Sequence, residues 1–232
     1  AEIHALTSDE VEKLKLYGYN GATFIAPNGV ALEEIPVVRQ KNMFGEHQKP
    51  EMLRFIWIGQ KRADKNLVSL IKAVAMLSED IRQQFIILLF GPDHKEYEKD
   101  CKLIAKELGV FDNFRFKGPV YDQDKYNALE SADVNILPSL SEGLSLAMLD
   151  AMACEKPCLV STGCGCERWN KDDCFIYFSP THEGIAEAIV KVINNREKLY
   201  SMGQNARRVI ERDLNWSTIS RTMIENYERI LN

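Results

Sequence analysis

Two carboxylates, Glu142 and Asp150, stand eight residues apart in the segment LPSLSEGLSLAMLDAMACEKP, residues 137–157. One sits at the mouth of an apolar run and the other in its middle. A carboxylate has two acceptor oxygens and can clasp a vicinal diol. A helix starting at Ser141 or Glu142 would aim the free N–H groups of Gly143, Leu144 and Ser145 outward, with the positive end of its dipole behind them. Eight helical residues rise at most ~12 Å, the scale that separates the two ends of a sugar-diphosphate-nucleoside. One acid would then hold a ribose, the other a sugar, and the amides the phosphates between them. The same spacing fits a plainer reading, in which Glu142 favours a helix N-terminus and Asp150 is a solvated residue on the polar face. Spacing alone does not choose between the two.

Lys65 closes a second polar segment, GQKRADKN, residues 59–66, and offers a countercharge to a diphosphate with no bound metal. No G-x-x-x-x-G-K-[ST] and no G-x-G-x-x-G occurs, so neither a P-loop nor a dinucleotide fingerprint is present. Five of the six cysteines fall between Cys154 and Cys174 without a C-x-x-C pair, and the nearest histidine is His182. They read as buried reduced thiols at strand ends and turns rather than as a zinc site.

The elements that must position these groups follow from periodicity. Thr7 and Glu10 have capping-box spacing and start a helix through Val11, Leu14 and Tyr17, which Gly18 ends. ATFIAP reads as a strand, PNGV at 27–30 as a turn, and the polar stretch 33–50 as a linker or arm. Strands then alternate with helices. LRFIWIG (53–59), QFIILLFG (84–91), NFRFKG (113–118), VNILPS (134–139) and PCLVS (157–161) are strands; NLVSLIKAVAMLSED, KEYEKDCKLIAKELG, KYNALESA and LSLAMLDAMACE are helices. Strands apolar on both faces and separated by helices require a parallel sheet covered on both sides, with right-handed crossovers. The fold class is α/β, a doubly wound Rossmann-like sheet, and candidate residues lie just after each strand, at its carboxyl end. Three helices follow, the last with an apolar stripe of Ile219, Met223, Tyr227 and Ile230 that packs on something outside the sheet.

Composition narrows the classes. The chain has 232 residues, 45% apolar and 27% charged, with a formal net charge of -5. That balance argues against a nucleic-acid surface, which would show as a basic excess. Neither a run of roughly 20 apolar residues nor a secretory pattern occurs, so the chain reads as cytoplasmic.

PSLSEGLSLAMLDAMACEKPCLVS resembles the E-x7-E signature of the retaining GT-B glycosyltransferases of the group-one, or family-four, class. In order along the chain, PNGV is similar to the linker entering their C-terminal domain, FIWIGQKRADKN to the first strand with its phosphate loop, and NFRFKGPV to the loop flanking the base. The resemblance implies a GT-B C-terminal domain that binds a nucleotide sugar, UDP- or GDP-linked, as substrate, with no cofactor and no metal. Residues 1–50 would be a remnant of an N-terminal domain with its linker, 51–213 the Rossmann-like donor domain, and 214–232 a C-terminal crossover helix.

By the same resemblance, Glu142 contacts the donor sugar, Asp150 the ribose, and the amides of Gly143, Leu144, Ser145 and Leu146 the phosphates. Lys65 offsets charge on the leaving diphosphate, Gly59, Gln60 and Arg62 line the phosphate loop, and Val120 and Tyr121 lie at the base. Three features depart from the family pattern. Asp150 is one methylene shorter than the usual Glu, and Gln60 stands where an arginine is usual, with Arg62 as a substitute from another loop position. Most of an acceptor-binding N-terminal domain is not present in this sequence. The chain is therefore expected to bind donor but transfer poorly alone, the acceptor domain lying in the same or another chain, and the full-length protein has room for peripheral membrane association. A non-catalytic nucleotide-binding module and half of a sugar-nucleotide epimerase fit the same residues.

Overall fold

The structure, a computed structural model, describes residues 2–35 and 52–231. Most of the polar stretch read as a linker, from residue 36 onward, lies outside the described residues. The N-terminal segment is a small βαβ unit: β1 (Ile3–Ala5), α1 (Ser8–Leu16) and β2 (Thr23–Ile25), the strands paired in parallel. Thr7 caps α1 by accepting from the Glu10 N–H at 3.3 Å, while Glu10 reaches back to the Leu6 N–H at 2.6 Å, one residue short of a full capping box. Gly18, with φ +88°, ends the helix region. Strand β1 was not expected; three residues centred on a histidine are too few to show alternation.

The main unit runs β3 (Leu53–Ile58), α2 (Leu67–Met76), α3 (Glu79–Arg82), β4 (Phe85–Phe90), α4 (Tyr97–Glu107), β5 (Phe114–Phe116), α5 (Asp122–Glu130), β6 (Val134–Leu137), α6 (Leu146–Ala153), β7 (Cys158–Ser161), β8 (Phe175–Phe178), α7 (His182–Asn194) and α8 (Leu199–Asp213). Six parallel strands pair in the order β5-β4-β3-β6-β7-β8. The doubly wound reading holds, with β8 as an addition and with the first predicted helix broken into α2 and α3. Alternate residues of β3 face opposite layers. Phe55 and Trp57 pack with Leu70 and Ile71 of α2 and Ile189 of α7, whereas Ile56 packs with Leu149 and Met152 of α6 and Val209 of α8. Every residue of β4 is buried, as a strand covered on both faces must be.

The chain runs outward from β3 to β5, then returns to lay β6 on the other side of β3. Strand order reverses between β3 and β6, and the crevice past their carboxyl ends is where such sheets place ligands. Loops 59–66 and 138–145 meet there.

Helix α9 (Trp216–Leu231) leaves the sheet and lies on the N-terminal unit. Tyr227 stands edge-on to Phe24 at 5.7 Å, and Arg229 makes a two-point contact with Glu2 at 2.8 and 2.6 Å. Of the expected stripe Ile219 is buried, while Tyr227 and Ile230 are 46% and 40% exposed. Val30 bonds both sides of the α8–α9 junction, its N–H to Leu214 O and its carbonyl to the Trp216 N–H. Among the described residues, no helix is long and apolar enough to cross a membrane.

Candidate functional site

Tertiary hydrogen bonds tie the two crevice loops together. After β3, a 3-10 turn (Ala63–Lys65) ends at Asn66 in the left-handed region, φ 60°. The Asn66 amide donates to Pro138 O at 3.0 Å and to Pro180 O at 2.7 Å, and the Leu140 N–H donates to Asp64 O at 2.9 Å. This lacing brings Lys65 to Glu142: Nζ lies 2.6 Å from Oε1, with the side chains 14% and 15% exposed.

The same Oε1 accepts from the buried Ser139 hydroxyl at 2.8 Å. Behind them the Glu142 N–H donates to Gly163 O at 3.0 Å, and a Cβ on Gly163 would collide with Leu140 O. Glu142 is thus held through its backbone and one oxygen. Its Oε2 has no hydrogen bond among the described residues.

Helix α6 begins at Leu146, not at Ser141 or Glu142 as expected. Ser145 caps it, accepting from the Met148 N–H at 3.4 Å. The reason is tertiary: the Leu140 and Glu142 N–H groups go to Asp64 and Gly163 rather than into a helix. Gly143, Leu144 and Ser145 therefore form a bend leading into the helix. The N–H groups of residues 143–147 find no acceptor among the described residues, which leaves a run of donors at a helix head, a favourable place for an anion.

Asp150 is not the solvated side chain of the plainer reading. Lys125 of α5 meets its Oδ2 at 2.6 Å, both side chains being half-buried, and the Lys125 ammonium also lies 4.6 Å from the centre of the Tyr126 ring. Burial is the largest influence and acts to lower the Lys125 pKa, but the hydrogen bond to Asp150, the charge of that carboxylate and the contact with Tyr126 together outweigh it, and the net shift is upward. Arg62 is committed to Asp64, Nε to Oδ1 at 2.6 Å, while Gln60 is exposed and makes no hydrogen bond among the described residues. Val120 is half-buried, and Tyr121 and Leu146 are exposed.

The N-terminal unit reaches the same crevice. Lys13 donates to Ser141 Oγ at 3.2 Å, and the Glu10 carboxylate lies against Gly143, where a Cβ would displace it. Sequence reasoning missed Lys125 and gave no role to Ser139 or Lys61, which lie within the loops after their strands; a lysine 25 residues from its partner, or one buried in a loop, leaves no local signal. All six cysteines are buried and unpaired, and burial pushes the thiols of Cys101, Cys154, Cys164 and Cys174 up to about 12. Among the described residues, no group of three or more His, Cys, Asp or Glu side chains is placed to hold a metal.

The fold is that of GT-B glycosyltransferases. Sucrose-phosphate synthase from Thermosynechococcus elongatus superposes with a TM-score of 0.84 over 99% of this chain and 58% of its own, at 19% identity. Anabaena HepE in complex with UDP and glucose superposes with a TM-score of 0.78 over 97% of this chain and 62% of its own, at 16% identity. The chain belongs to the family of glycosyl transferases group 1, whose model matches residues 38–209. An uncharacterized glycosyltransferase of Methanocaldococcus jannaschii is 26% identical over 211 residues, 88% of this chain and 52% of that protein. The chain spans about half the length of the curated relatives it matches.

Proposed function

We propose that this chain is the donor-binding half of a retaining glycosyltransferase, holding a nucleoside-diphosphate sugar in the crevice between loops 59–66 and 138–145. The observation that carries the proposal is the Lys65–Glu142 contact beside five N–H groups with no acceptor among the described residues, at the point where strand order reverses. The diphosphate rests on the amides of residues 143–147. An ammonium has three donors, so Lys65 can keep Glu142 and still donate to the departing diphosphate, which needs no metal in this reading. Glu142 offers Oε2 to a sugar hydroxyl. Asp150 offers Oδ1 to the ribose while Lys125 holds Oδ2.

Val120 and Tyr121 lie at the base, and the Anabaena structure with UDP and glucose supports a uridine donor. The acceptor belongs to a unit that includes residues 2–35 and α9 and is completed by a further polypeptide segment, so that transfer by this chain alone is weak.

Calorimetric titration with UDP, GDP and ADP tests the site. At least one is expected to bind at millimolar concentration or below, and Lys65→Ala is expected to weaken the diphosphate while sparing the nucleoside. Absence of binding by all three removes the proposal. Gln60 and the internally paired Arg62 favour a second reading, a binding module without transfer; donor hydrolysis by the full-length protein distinguishes the two.

A further inference from the structure

Lys61 follows Gln60 in the loop after β3, yet its side chain is 1% exposed. Its three ammonium donors are all engaged. Nζ donates to Gly91 O at 2.7 Å and to Lys117 O at 2.6 Å, and it pairs with Glu98 Oε2 at 2.5 Å. A buried ammonium is tolerated when every donor is satisfied in this way. The two carbonyls follow different strands, Gly91 after β4 and Lys117 after β5.

The backbone makes the same connection. The Lys61 N–H donates to Pro92 O at 2.9 Å and the His94 N–H to Lys61 O at 3.1 Å, which carries the β3–β4 pairing past the strand ends. The Gly91 N–H donates to Gly118 O at 3.1 Å and does the same for β4 and β5. Gly91 has φ +136°, and a Cβ there would collide with Gly59 O. One ammonium therefore meets carbonyls of two post-strand loops from its seat in a third. It is turned into the protein and cannot replace the positive charge absent at Gln60.

We propose that Lys61 is a positioning residue for the nucleoside end of the crevice. It fixes the loop that carries Val120 and Tyr121 against the loop that carries Lys65, and so sets the span between base and diphosphate without touching either. The ligand half of this inference rests on the donor-site reading above; the hold on the loops does not.

The test uses Lys61→Met and the double variant Lys61→Met/Glu98→Gln, in which the carboxylate left without Lys61 is neutralised. UDP and uridine are titrated against each protein, and amide hydrogen exchange is followed at Gly91 and Lys117. Both variants are expected to bind UDP more weakly by about tenfold or more, the scale of a misplaced subsite, and uridine, which has no span to bridge, by a smaller factor. Exchange at the two amides is expected to quicken in both. The double variant should regain melting temperature without regaining affinity. A double variant that regains affinity along with stability overturns the inference and leaves Lys61 a structural ion pair. If the parent protein binds neither ligand, the donor-site reading fails instead. Exchange still decides in that case: quickened exchange upholds the hold of Lys61 on the loops, and unchanged exchange overturns it.

Discussion

Removing charge from the Lys65–Glu142 contact measures how far the two crevice loops depend on it. The perturbation is Lys65→Met, Glu142→Gln and the pair together. Two unit charges at 2.6 Å attract by about 6 kcal/mol at an effective dielectric of ~20, and desolvation cancels most of that. Breaking a fully buried pair costs about 3–5 kcal/mol, while exposed pairs contribute under ~1. At 14% and 15% exposure the pair falls between, and the expected coupling is about 2 kcal/mol.

Lys65→Met strands a carboxylate that keeps only the Ser139 hydrogen bond and should lose about 2 kcal/mol. Glu142→Gln keeps an acceptor oxygen for both neighbours and should lose about 1 kcal/mol. The double variant should also lose about 1 kcal/mol, because no charge is left unpaired. Urea denaturation provides the free energies, and Lys65→Met should melt about 4–8 °C lower for a chain of this size. A coupling below about 0.3 kcal/mol, within the error of additivity, refutes the idea that this pair holds the loops together.

Gly163→Ala places a methyl group on Leu140 O, which should cost about 1–3 kcal/mol and weaken UDP binding by moving the backbone that holds Glu142. Unchanged melting and binding contradict it. The buried thiols, pushed to about 12 in Cys101, Cys154, Cys164 and Cys174, stay protonated at pH 8, so Ellman's reagent should label the native protein slowly and all six sites in guanidinium. Rapid native labelling of any one contradicts the packing. Burial pushes the Glu98 carboxyl up, but the hydrogen bonds and the positive charges of Lys102 and Lys61 together outweigh this and hold it below its usual 4.5. Its contribution is present above that unfolded value and is lost as pH falls through the lower folded one. Glu98→Gln should therefore flatten the acid limb of the stability curve, and a limb of unchanged slope rules the contribution out.

The sheet was legible because β4 is an unbroken apolar run, and β3 is one apart from Arg54, each bounded by a glycine and too short for a helix. That the candidate loops follow the carboxyl ends of the strands came from that; the order of the strands did not. The start of α6 was not legible: Ser139, Ser141 and Ser145 all have N-cap chemistry. The choice of Ser145 depends on Asp64 and Gly163, which accept the upstream amides from distant loops. Strand β8 was missed because FIYF follows a turn-rich segment and carries no alternation. Lys61 reads as a solvated loop residue, and its burial depends on Glu98 and two carbonyls that only the folded chain assembles. Likewise, nothing local marks Lys125 as the partner of Asp150.

The six strands fall into two runs of neighbours, β3 to β5 and β6 to β8, joined among the described residues by the single ladder in which Phe55 faces Val134. Each run can grow by adding the next strand along the chain, whereas the seam between them closes a loop of nearly eighty residues and must bear that entropy. The bond from the Arg54 N–H to Asp133 and the Lys65–Glu142 pair span this seam, 79 and 77 residues apart in sequence. The crevice is therefore expected to close late in folding. If it does, Lys65→Met should speed unfolding more than it slows refolding, and stopped-flow kinetics showing the loss mainly in the refolding rate would place the seam in the folding nucleus instead.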